Sequence, residues 1–187
     1  RISFTAWLIK VISQTVCEHK NVAAFRKGKQ KLVIFDDVNI SCIVEKEING
    51  SKVPFPLLIE KANELAIEKI THRLNEAKQE KLSGKQVVLQ RESNFFERLY
   101  YYLPGILRRL IWSWLLMRPQ SAFSKMGNVA ITSVGMMGKL SGWLIPLSVH
   151  PLCFGIGSII KKPAVVDDKI EIREIMYMTV LFDHDVV

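Results

Sequence analysis

Along this chain the spacing of apolar positions changes from a period of about 3.6 to one of about 2 and back, and each change marks an element. Ser3 precedes a stretch in which Phe4, Trp7, Leu8, Val11, Ile12 and Val16 recur at helical spacing, with Lys10, Gln14 and Glu18 between them. This predicts a helix capped by the Ser3 hydroxyl, with that stripe on a core and those polar residues turned away. Residues 23–33 predict two short strands meeting at Lys27-Gly28-Lys29, and residues 39–44 a third. Asn49-Gly50 is the dipeptide of a type I′ hairpin, because both central residues there take positive φ. Its partner strand, 51–55, carries Pro54 with Pro56 just beyond, and a proline that cannot donate to a ladder predicts a sheet edge or a strand end rather than the sheet centre. After residues 57–59 a second helix runs to about Gln79 on the stripe Leu65, Ile67, Ile70, Leu74 and Ala77, and Ser83-Gly84 ends it.

Residues 94–117 predict a helical hairpin. Asn94 with Glu97 resembles a capping box, Phe95, Phe96, Leu99 and Leu103 form one apolar face, and Pro104-Gly105 is the break. In its second helix Ile106, Leu107, Leu110, Ile111, Trp114 and Leu115 oppose Arg108, Arg109 and Ser113. The break and the arginine pair leave no run of about 20 apolar residues, so the hairpin does not span a membrane. It is expected to pack on its own domain or a neighbouring subunit, the alternative being a membrane surface. Past Pro119 the pattern becomes strand-like. Over residues 128–134, Ala130 and Thr132 share one face and Ile131 and Ser133 the other. Gly135, Met136-Met137-Gly138 and Ser141-Gly142 form a small-residue loop that a ligand can approach closely, without the residue order of a phosphate loop. Residues 153–160 predict a buried strand, 163–166 and 169–175 flank an Asp167-Asp168 turn, and 177–187 predict a strand buried on at least one face that ends in Asp183-His184-Asp185.

Composition narrows this only slightly. With 187 residues, 49% of them hydrophobic and 24% charged, a single globular domain is expected. The net charge of +8 suits phosphate-bearing or acidic partners, but the basic residues form no compact motif, so no nucleic-acid partner is expected. A membrane partner is disfavoured. Cys17, Cys42 and Cys153 match neither a zinc spacing nor an even disulfide framework, which points to no metal and to a reducing compartment, the cytoplasm. No signal-peptide pattern is present and the chain reads as cut at both ends.

His184 is the candidate for acid-base chemistry, because flanking carboxylates favour the protonated imidazole and hydrogen bonding fixes its tautomer. Polar residues cluster at strand ends in any case, so its position alone decides little. His72 lies in a charged helix beside Arg73 with no nucleophile or second ligand spaced to help it, and is read as solvated.

Four blocks in order carry a resemblance. They are D-V-N-I-S-C-I-V from Asp37 followed by V-P-F-P from Val53; A-I-T-S-V-G from Ala130; G-I-G-S-I-I-K-K-P-A-V-V-D-D-K-I from Gly155; and F-D-H-D-V-V from Phe182. Together they resemble the catalytic domain of the dihydrolipoamide acyltransferases of 2-oxo acid dehydrogenase complexes, which is similar to chloramphenicol acetyltransferase. The resemblance implies an α/β two-layer sandwich, a mixed sheet with helices on one side, here with the 94–117 hairpin inserted. It implies a homotrimer, open to larger assembly, with active sites between subunits. Coenzyme A enters from one side as a substrate and an acyl-carrying thiol, a lipoyl group on a separate carrier, from the other. His184 matches the general base and Thr132 the hydroxyl that donates to the oxyanion. Ser133 and Gly135 join the substrate-binding set, Ser133 replacing Thr132 if the register slips by one residue. Asp185 stands where the family commonly has arginine and is given no role. The family's closing Asp-Gly falls beyond Val187, so a chain ending there is expected to be poorly active. With no lipoyl or subunit-binding domain ahead of it, the chain resembles a stand-alone branch. A catalytically silent scaffold of the same fold, and a membrane-surface or partner-binding protein acting through the hairpin, are the alternatives.

Overall fold

The Ser3 hydroxyl accepts a hydrogen bond from the Ala6 amide at 3.1 Å and starts helix α1, Phe4–Glu18, as its place before the apolar run predicts. The computed structural model describes residues 2–28, 30–48, 51–79, 102–135 and 142–187. The face that α1 buries differs from the expected stripe. Ala6, Leu8, Ile9, Ile12, Ser13 and Val16 are buried, whereas Phe4, Trp7 and Val11 lie exposed, Phe4 stacked on Trp7. Apolar residues occupy so much of this helix that spacing alone does not choose the inward side. Lys10, expected to face away, is half-buried and donates from Nζ to the Asn63 carbonyl at 2.8 Å.

A short 3-10 turn, Lys20–Ala23, leads into β1, Phe25–Lys27, and β2, Lys31–Val33, which form a separate two-stranded sheet with Gly28 at a φ of 69°. β3, Ile40–Ile48, and β4, Ser51–Ile59, pair antiparallel, and α2, Ile67–Gln79, follows. It buries Ile70, Leu74 and Ala77 as expected but begins later than the sequence suggests, after a turn over residues 60–64. α3, Gly105–Leu116, comes next, then α4, Pro119–Met126. The pattern beyond Pro119 predicts no helix, and α4 corrects it: eight residues with a proline in the first turn and few apolar points carry little periodic signal. β5, Val129–Ser133, β6, Leu152–Val166, and β7, Lys169–Phe182, complete the fold.

The large sheet has the order β4-β3-β5-β6-β7, with β3, β5 and β6 parallel and the outer pairs antiparallel. β4 is an edge strand, as its prolines require. β7 is the other edge, so it is half-buried rather than packed throughout: Val180 and Met176 touch the core, while Met178 and Phe182 are exposed. β6 and β7 are each one continuous strand where the sequence suggests two, because a register shift between Ile156 and Ile159 absorbs the break in alternation. Asp167 and Asp168 both take positive φ at the turn between them.

Ile40, Ile59, Val129 and Leu152 form one level across the sheet, and Cys42, Leu57, Ile131 and Phe154 the next. These side chains meet α1 and α2 in one core. The parallel approach of β3 and β5 is set by a reciprocal clamp. The Asn128 side-chain oxygen accepts from the Asn39 amide at 2.9 Å, and the Asn39 carbonyl accepts from the Asn128 amide at 3.0 Å. Gly127 makes room for it at a φ of 80°, where an added Cβ would lie 2.3 Å from the Asn39 carbonyl oxygen. Among the described residues no helix is long and apolar enough to cross a membrane. The Asn49-Gly50 hairpin, the Ser83-Gly84 stop, the first helix of the hairpin up to residue 101 and the glycine loop at 136–141 lie outside the described residues.

Candidate functional site

Thr132 sits on the sheet face away from the helices, because Val129 and Ile131 point into the core and the alternation puts Ala130 and Thr132 opposite. Its neighbours in register are Gly155 on β6 and, beyond it, Thr179 on β7. Gly155 lacks the Cβ that would press on the Leu144 carbonyl oxygen at 2.9 Å, so the segment around Leu144 and Pro146 crosses this face directly over it. Trp143 tilts onto Tyr177 at 4.7 Å between ring centroids. Thr179 Oγ1 is buried here without a hydrogen-bond partner among the described residues. Two threonine hydroxyls thus flank a bare glycine.

Ser133 takes the helix side, where its Oγ accepts from the Gly135 amide at 3.3 Å. No one-residue slip is present, and the hydroxyl on the face away from the helices is that of Thr132. Gly135 is exposed just past the strand end.

His184 projects from the turn that follows β7 and is exposed. The turn is held at its root by the Asp183 amide, which donates to the Pro151 carbonyl at 2.9 Å. The flanking carboxylates have partners of their own. Asp183 accepts the Asp185 amide at 3.0 Å, and Asp185 forms an ion pair with Arg26 of β1. Asp185, given no role by the sequence, therefore ties the histidine turn to the small sheet. Neither Arg26 nor Thr179 is marked by any sequence signal, since each acquires its place only through pairing remote in the chain.

Within one chain Thr132 and His184 are not brought together. Phe182 is level with Val129, so His184 lies beyond the edge at which β5 begins, whereas Thr132 lies further along. Thr132 lies about 10 Å along the strands from the level of Phe182 and about 10 Å across from β7, and His184 lies past that end of the strand.

The other polar groups suit structural work. His150 Nε2 stands 2.9 Å from the Met126 carbonyl, which can only accept, so Nε2 carries the proton and Nδ1 accepts from Ser148 Oγ at 2.7 Å. Burial holds the His150 pKa below its ordinary value. Burial also pushes the Cys42 thiol up to about 12 and raises that of Cys153, so neither is a thiolate nucleophile at neutral pH. His72 is exposed with Nδ1 3.1 Å from Glu76, as expected of a solvated histidine.

Residues 120–187, which include Thr132 and His184, match the model of the 2-oxoacid dehydrogenases acyltransferase catalytic domain. A probable dihydrolipoamide acetyltransferase from Listeria monocytogenes has a similar structure, with a TM-score of 0.63 and 19% identity over 100% of this chain and 63% of that one. The cubic core of the pyruvate dehydrogenase multienzyme complex is similar at a TM-score of 0.61 and 12% identity, over 100% of this chain and 62% of that one. So is the dihydrolipoamide acetyltransferase of Azotobacter vinelandii, in which a serine, a histidine and an asparagine have been studied for their role in the catalytic mechanism; its TM-score is 0.61 and its identity 14%, over 100% of this chain and 62% of that one. This chain spans a little under two thirds of the length of these relatives. No curated protein sequence matches it. The family that the four sequence blocks resemble is therefore the one whose catalytic-domain model matches residues 120–187, and the described architecture is that of the dihydrolipoamide acetyltransferase cores and of chloramphenicol acetyltransferase.

Proposed function

We propose that this protein moves an acyl group between coenzyme A and a dihydrolipoyl-type thiol, with His184 of one subunit and Thr132 of its neighbour completing each site. The observation that carries this reading is that the family-matched segment holds both a strand-borne hydroxyl and a turn-borne imidazole, at different levels of the sheet and not brought together within one chain. A second copy supplies the missing half, which favours an oligomer, and the family's trimer is the form we expect. Free buried thiols suit a reducing compartment such as the cytoplasm.

Two groups suffice for the chemistry. A thiol of pKa about 8.5 is only a few per cent ionised at neutral pH. His184 takes the S–H proton as sulfur attacks the thioester carbon, and the carbonyl electron pair moves to oxygen. The Thr132 hydroxyl donates to that oxyanion. Collapse re-forms the carbonyl, breaks the original C–S bond, and returns the proton from the imidazolium to the departing sulfur.

The test is acyl transfer from acyl-CoA to dihydrolipoamide. His184→Ala should lower kcat by at least about 100-fold, and Thr132→Ala by about 100-fold, from the usual cost of losing a base or an oxyanion donor. Thr132→Ser should stay active. Mixing the two inactive variants after joint refolding should restore part of the activity, because some interfaces then pair an intact His184 with an intact Thr132. No turnover with a panel of acyl-CoAs by the protein extended through the family's closing Asp-Gly segment, in an intact oligomer, would instead assign the silent scaffold.

A further inference from the structure

From Arg98 to Val166 the sequence holds no aspartate or glutamate but eight lysines and arginines, so the net charge of +8 resides entirely there. α3 lies within this stretch. Ile106, Leu107, Leu110, Ile111 and Trp114 fall on one face at helical spacing, yet Ile106 is 75% exposed, Leu110 60%, Trp114 50% and the following Met117 62%. Arg108 and Arg109 occupy the opposite face, and the Arg118 guanidinium stacks 4.1 Å above the Trp114 ring. The helix is nonetheless anchored, through α4, whose Ala122 is buried and whose Phe123 stacks on Phe35 at 3.9 Å.

We propose that α3 is an interfacial helix that docks this protein on an anionic lipid surface. Its apolar face would enter the acyl boundary, with Arg108, Arg109 and Arg118 among the headgroups. Charge selects this occupant. The stretch from Arg98 to Val166 has eight basic and no acidic residues, and an anionic bilayer supplies both the apolar layer for the stripe and the opposite charge for the arginines. At about 18 Å the helix is too short to cross and suited to lie flat. Tyr102, Trp112 and Trp114 are residue types that favour the headgroup level. The sequence alone disfavours a membrane partner because periodicity predicts a packed stripe; the exposure of that stripe changes the balance.

The inference does not depend on acyl transfer. It is tested by co-sedimenting the full chain with vesicles of phosphatidylcholine, alone or with about one third phosphatidylserine. Binding is expected to the mixed vesicles, at least about ten-fold tighter than to neutral ones, and to weaken as salt rises. Arg108→Ala with Arg109→Ala should weaken it about 25-fold, some five-fold for each arginine. Leu110→Glu should abolish it while circular dichroism and thermal midpoint match the parent, and His184→Ala should leave it unchanged. Absence of binding, equal binding to neutral vesicles, or retained binding by Leu110→Glu would each overturn the proposal. So would dissociation of an oligomer by Leu110→Glu in light scattering, which would give the face to a second copy.

Discussion

Arg26 steadies the histidine turn from the small sheet. Its guanidinium reaches Asp185 with both side chains partly in water, so the pair contributes no more than about 1 kcal/mol to stability. Its importance is geometric, because Asp185 adjoins the proposed base. Arg26→Ala is expected to lower kcat for acyl transfer about ten-fold with KM unchanged and the thermal midpoint within a few degrees of the parent. Arg26→Lys should recover part of the loss, and a purely structural role would instead move the midpoint without splitting kcat from KM. His150 makes a prediction of a different kind. Its folded pKa lies below the unfolded value of 6.5, so the unfolded chain takes up the proton first. The contribution of neutral His150 is therefore complete above about pH 6.5 and is lost as pH falls below it toward the lower folded value. Thermal midpoints measured from pH 8 to 5 should fall more steeply for the parent than for His150→Gln.

At the level of elements, the junction of α4 with β5 is the least tolerant point described. Gly127→Ala would set a methyl against the Asn39 carbonyl at a positive φ, and should cost at least about 2 kcal/mol in denaturant unfolding. The same region shows what could be read in advance. Strand identity, the edge position of β4 and the face of Thr132 were legible because proline chemistry and two-residue alternation act locally. The inward face of α1 was not, since Phe4, Trp7 and Val11 are as apolar as Ala6, Ile9 and Ile12, and only the site of the sheet decides between them. α4 carries no local signal, because one buried alanine and one stacked phenylalanine make no period. Of the candidate site, the histidine and hydroxyl were marked by motif, but Arg26 meets Asp185 across 159 residues, a distance no local pattern reports.

For the whole molecule, the β6–β7 ribbon extends past the helices that cover the rest of the sheet. Pro163, Val165, Ile170 and Ile172 share its helix-side face and are exposed, with Val165, Ile170 and Ile172 between 74% and 80%. Because one chain lacks half of the proposed site, a second copy is the expected cover. Ile170→Glu with Ile172→Glu should shift the assembly toward monomers in light scattering and remove acyl transfer, while leaving the monomer's circular dichroism intact. The irregularity between Ile156 and Ile159 gives the ribbon a further property, concerning changes of length rather than of side chain. Gly157 and Ser158 together oppose a single residue, Tyr177, so the sheet already accommodates one residue more than its alternation needs. Deleting Ser158 should leave every later side chain of β6 on its present face, whereas deleting Ile160 would carry Lys162 to the apolar side and Val165 away from it. Loss of assembly by the second deletion but not the first is the expected result, and this strand therefore has one place where evolution or design can shorten it without inverting the outer half of the ribbon.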